Sequence, residues 1–153
     1  MNKTFDLKII NKNDYKIYHF DIKIDKTTNN GFLPTLNDIH TWMIMTENFL
    51  NNCKKNNIRF GFIFNLNNLN SIDVIHILEV CKFLLKYKNI LKSFLIGNCI
   101  IMNNNTIESF INLFLKYYTP VKPLKICKDI NECYEFIEEC KENNNLSYKN
   151  LIK

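Results

Sequence analysis

Six cysteines and three histidines are the side chains of this 153-residue chain most able to bind a metal or act as nucleophile and base, so their spacing is the first thing to weigh. Cys53, Cys81, Cys99, Cys127, Cys133 and Cys140 contain no CxxC pair, and most fall at core-facing positions of the elements inferred below. A zinc centre needs ligands spaced to converge, whereas His19, His40 and His76 sit on separate segments with no cysteine or second histidine at ligand spacing. The cysteines therefore read as free buried thiols that act as small hydrophobes, with no metal site, in a reducing compartment. His76 lies one helical turn from both Asp73 and Glu79, a spacing that more often gives a solvated surface pair than a general base. No local signature joins a serine or cysteine to a base, and Gly31, Gly61 and Gly97 are isolated, so no glycine-rich phosphate loop exists. The chain is expected to be no enzyme and to use no cofactor.

Composition sets the scale. With 46% apolar and 13% aromatic residues, the chain can fill one core, and we expect a single domain over residues 1–142 followed by a loosely held tail, 143–153. No apolar run reaches the roughly 18 to 20 residues that span a bilayer, and MNKTFDLKII lacks a secretory h-region. A cytoplasmic location is expected, or a virion if the source is viral. Asparagine, isoleucine and lysine dominate while Arg59 is the single arginine, which fits codon bias in an AT-rich genome such as that of some protists and large DNA viruses. Lysine without arginine forks gives phosphate attraction but poor base reading, so no specific nucleic acid is expected, and no interleaved aromatic motif supports membrane-surface contact. The net charge of +5 is uneven, with eight lysines in residues 73–128 and an acidic segment behind them, which implies self-association or an internal balance of charge.

These side chains must be held by elements that alternate along the chain. TFDLKIIN (4–11) and YKIYHFDIK (15–23) flank a polar turn and read as a β-hairpin. Thr35 with Asp38 forms an acidic variant of the capping box, opening a helix to about Cys53 with Leu36, Ile39, Met43, Phe49 and Leu50 as its buried stripe. IRFGFIFN (58–65) and FLIGNCII (94–101) are nearly continuously apolar, as strands covered on both faces are, and PLKIC (123–127) is a shorter version. Asn105 with Glu108 and Asp129 with Glu132 mark two further helix starts, each followed by an amphipathic repeat. The order β-β-α-β-α-β-α-β-α predicts an α/β fold with a mixed central sheet, parallel core strands and right-handed crossovers under covering helices.

The segment 72–87, IDVIHILEVCKFLLKY, is apolar nearly all round. On a helical wheel Val74, Ile77, Leu78, Val80, Cys81, Leu84 and Leu85 share one face, whereas Ile72, Ile75 and Phe83 lie with His76, Glu79 and Lys82. Either neighbouring helices cover it on more than one side, or Ile72, Asp73, Ile75, His76 and Glu79 form a partner-binding patch with a charged rim. The asparagines before it, in FNLNNLNS (64–71), read as turn residues with Asn70 or Ser71 capping the helix.

Over residues 4–140 this pattern resembles the STAS domain, the fold of the bacterial anti-sigma-factor antagonists. The resemblance rests on GFLP (31–34) ahead of the first helix, FNLNNL (64–69) where the family has Asp-Leu and a polar turn, SID (71–73), and KDINECYEFIEE (128–139) with Cys133 where the family favours alanine. It implies a non-enzymatic module that binds a protein partner or itself. In the antagonists the turn reads roughly Asp-Ser-Ser-Gly with a phosphorylatable serine; here Asp73 is followed by Val74, Ile75 and His76, so that switch is not expected. The leading expectation is a protein-interaction scaffold, possible as a homodimer or part of an assembly. The alternative is a small apolar ligand or lipid-binding domain, because helices on a sheet can leave an apolar pocket.

Overall fold

The computed structural model describes residues 5–23, 34–69, 71–102 and 105–143. Most of GFLP and most of the expected tail fall outside them. The strands are β1 (Phe5–Asn11), β2 (Tyr15–Ile22), β3 (Arg59–Asn65), β4 (Leu95–Ile101) and β5 (Leu124–Cys127). The helices are α1 (Leu36–Asn56), α2 (Val74–Lys86), α3 (Lys88–Phe94), α4 (Asn105–Tyr117) and α5 (Ile130–Glu142). The expected order holds, with the short α3 added after a break at Tyr87.

One five-stranded sheet runs in the order β1-β2-β3-β4-β5. The hairpin strand β1 is antiparallel to β2 at the edge, and the remaining pairs are parallel. Because each parallel step moves the same way across the sheet, right-handed crossovers place α1, α2 with α3, and α4 on a single face. Among the described helices, α5, which follows the last strand, alone covers the other.

Strand alternation divides the apolar residues between these layers. Tyr18, Phe20, Phe60, Phe62 and Ile100 join the larger core beneath α1 to α4. Ile17, Ile63, Cys99 and Ile101 pack with Cys133, Phe136 and Ile137 beneath α5. Gly61 and Gly97 let α5 lie close: a Cβ on Gly61 would stand 2.8 Å from Ile137 Cδ1, and one on Gly97 3.1 Å from Cys140 Sγ. The near-continuous apolar runs of β3 and β4 thus serve two cores at once.

Caps and polar contacts fix the ends. The Thr35–Asp38 capping box is formed, with Asp38 N–H donating to Thr35 Oγ1 at 3.2 Å and Thr35 N–H to Asp38 Oδ2 at 2.9 Å. Helix α1 runs on to Asn56 and stops at Asn57, whose φ of 55° is the left-handed conformation asparagine tolerates. At α5, Glu132 N–H donates to Asp129 Oδ1 at 2.9 Å as the sequence implied. The Asn105 cap lies outside the described side chains. Inside the larger core the Thr46 hydroxyl donates to the Trp42 carbonyl at 2.7 Å, which leaves its oxygen to accept the Tyr18 hydroxyl at 2.6 Å, so both buried polar groups are satisfied. Lys125 meets Glu132 at 3.4 Å and Lys141 meets Asp14 at 3.1 Å, so part of the uneven charge is balanced within the chain.

Candidate functional site

Between the sheet and the α1–α4 layer lies an apolar cavity of about 200 Å³. Its floor is Phe20 of β2, Phe62 and Phe64 of β3, Ile100 of β4 and Leu124 of β5. The roof includes Ile39 and Trp42 of α1, Ile77 and Val80 of α2, and Ile111 and Phe114 of α4. The gap has a geometric cause. Large aromatics line the strands, with Phe62 set edge-on to Tyr18 at 5.3 Å, and rigid rings meeting Trp42 and Phe114 from the helix side do not fill the space between them completely. Trp42 is pinned between Phe83 at 5.3 Å and Phe64 at 6.3 Å.

Polar groups in this lining are few. Asp38 carries the only charge among the described lining residues, and it also serves the α1 cap. The Asn98 amide points its N–H groups at the Lys122 and Pro123 carbonyls, each at 3.4 Å. A water in the apolar part would find too few partners to be held.

The five residues read as a patch differ in exposure. Ile72 lines the cavity, while His76 is buried, with no hydrogen-bond partner on Nδ1 among the described residues. That corrects the solvated Asp73–His76 pair. Asp73 is exposed at the N-cap of α2, where its carbonyl rather than its side chain accepts the His76 and Ile77 amides at 3.0 and 3.1 Å. Glu79 is half-buried and pairs with Lys82 at 3.8 Å. Ile75 stands 69% exposed, beside Val74 at 50%, although Val74 shares the apolar face of the wheel with the buried Ile77 and Cys81. Phe83, assigned to the opposite side, is buried against Trp42 and Tyr87. The first of the two readings of this segment holds: α2 packs against α1 on one flank and α4 on the other, so neighbouring helices cover it on more than one side and no single face holds its buried residues.

The asparagine joint before α2 is structural. Asn65 Oδ1 accepts from the Asn67 amide at 3.2 Å, and Asn68 Nδ2 donates to the Ile22 carbonyl at 2.9 Å, tying the joint to the end of β2. The helix cap falls at Asp73 rather than at Asn70 or Ser71.

All six cysteines are free and buried, as their positions implied. Spacing gave no hint, however, that the sulfurs of Cys99, Cys127 and Cys133 lie within 4.8 Å of one another. The neighbouring thiols of Cys133 and Cys99 hold the Cys127 thiol below its ordinary range, while burial pushes Cys99 well above it and the proximity of Cys127 pushes Cys133 up. The signal that could have found them is Cys127 and Cys133 on either side of a strand-to-helix joint, with Cys99 on the neighbouring strand.

No family model matches the sequence, and no curated protein is detectably similar to it. The solved structures do give a likeness: the crystal structure of an uncharacterized protein of the DUF3478 family from Shewanella loihica PV-4, described as having a SpoIIAA-like fold. It superposes with a TM-score of 0.60 at 12% identity, covering 87% of this chain and 93% of that one. The fold is SpoIIAA-like. This agrees with the STAS-like resemblance read from the element order, and at that identity the likeness concerns fold alone. Among the described residues no helix is long and apolar enough to cross a membrane.

Proposed function

We propose that this SpoIIAA-like domain binds a small neutral apolar molecule between its sheet and its helix layer. The observation that carries the reading is the cavity of about 200 Å³ with walls almost wholly of Phe, Ile, Leu, Val and Trp. A dry apolar cavity of roughly 150 Å³ takes up benzene, so this one is large enough for a ring or a short branched chain. Neutrality follows from the lining: an ionised group would have to give up its hydration against walls that are almost wholly hydrocarbon. Native mass spectrometry of the protein purified without detergent should show a bound mass that organic extraction removes. Protein of the bare mass that also takes up no added apolar compound would sink the reading.

A protein-interaction role has its own support in Val74 and Ile75, adjacent apolar residues exposed at the start of α2. Ile75→Asp is expected to leave folding stability within about 0.5 kcal/mol, because the side chain is largely in solvent. If α2 is a docking site, the same change abolishes self-association or partner capture by sedimentation. A monomer indistinguishable from wild type in both respects would remove α2 from consideration.

A further inference from the structure

The sulfurs that converge beneath α5 come from three elements. Cys99 and Cys127 lie on the α5-facing side of adjacent parallel strands, offset by two residues, since Cys99 pairs with Lys125 and Ile101 with Cys127. Asp129 then caps α5 and turns the chain back, so that Cys133, in the first turns of α5, comes down on the same spot. None of the three is more than 1% exposed, and all three Sγ atoms lie within 4.8 Å of one another. At metal–sulfur distances of about 2.3 Å, three sulfurs around one ion stand roughly 4 Å apart, so closing on an ion needs side-chain shifts of under about 1 Å.

We propose that Cys99, Cys127 and Cys133 form a three-coordinate site for a thiophilic d10 metal ion, with Cu(I) the occupant that fits. The ligand set is all sulfur, which selects soft ions over magnesium, calcium or manganese. No fourth His, Cys, Asp or Glu donor joins the group among the described residues, whereas structural zinc takes four. Cu(I) is satisfied by thiolates alone. Binding displaces thiol protons to solvent, and the ion enters and stays as Cu(I), so no oxidant or reductant is consumed. The weak thiol contacts now made, such as Cys99 Sγ to the Cys133 carbonyl at 3.6 Å, are given up.

The test is anaerobic titration of the full reduced chain with Cu(I) against a colorimetric Cu(I) chelator, with native mass spectrometry to count ions. One copper per chain is expected. Cys127→Ser and Cys133→Ser should each lower affinity at least tenfold, and Cys53→Ser and Cys81→Ser should not change it. Should the serine variants fail to fold, X-ray absorption of the wild-type copper complex decides: three sulfur neighbours and no nitrogen or oxygen support the site. Copper lost to the chelator, copper held equally well without Cys127 and Cys133, or nitrogen and oxygen in the coordination shell would overturn it. Zn(II) bound by the same three residues in preference to Cu(I) would overturn the choice of ion.

Discussion

The double variant Ile100→Phe/Ile111→Phe is expected to lose apolar ligand binding by at least about tenfold, or about 1.4 kcal/mol, while remaining folded. Ile100 rises from the floor of the cavity on β4 and Ile111 faces it from α4, both nearly buried, so two added rings enter the space from opposite walls. In a close-packed core the same change would strain its neighbours by about 1 to 3 kcal/mol per site. Where a void waits, filling commonly adds roughly 0.5 to 2 kcal/mol instead. Urea unfolding distinguishes the cases. A midpoint equal to or above wild type, with binding lost, fits the cavity; a steep loss of stability would mean that the space is not there.

Gly61→Ala is expected to do the reverse. Its new Cβ would lie 2.8 Å from Ile137 Cδ1 and 3.0 Å from Cγ2, and Ile137 is fully buried with little room to yield. Overpacking of this kind costs about 1 to 3 kcal/mol. Adding Ile137→Val removes the nearest atom and should recover part of the loss. Because Gly61 serves the α5 face and the cavity lies on the other, ligand affinity in Gly61→Ala should stay within about threefold of wild type. A stability change under about 0.5 kcal/mol would show that α5 does not pack as closely as described.

Much of this architecture was legible because its signals are local. Unbroken apolar runs in β3 and β4, capping residues Thr35 and Asp129, and alternation of strand with helix each state their meaning within a few residues. Those signals also implied parallel core strands and the STAS-like sequence of elements, whereas the order of the strands within the sheet depends on long-range pairing that they do not encode. What escaped depends on how distant elements meet. Coverage of α2 from more than one side was one of the two readings of its apolar sequence, but a wheel does not say which residues meet which neighbour, and between α1 and α4 it is Phe83 and His76 that turn inward while Val74 is half exposed. Likewise Cys99 is remote in sequence from Cys127 and Cys133, and only the β4–β5 register beneath α5 brings the sulfurs together. The cavity is a difference between the volume enclosed and the volume filled, which no periodicity encodes. The sequence held it only as the alternative of an apolar pocket.

Trp42 offers the most direct measurement of ligand binding, since it is the single tryptophan of the chain and lines the cavity. Titrating the delipidated protein with bromobenzene, a neutral heavy-atom quencher of suitable size, should quench its emission saturably at one molecule per chain. The quenching should be reversed by unbrominated benzene and absent from Ile100→Phe/Ile111→Phe. A brominated fatty acid should bind more weakly, because its carboxylate would lose hydration in an almost wholly apolar space. Quenching that rises linearly without saturation, or that persists unchanged in the filled variant, would contradict a ligand site between the sheet and the helices.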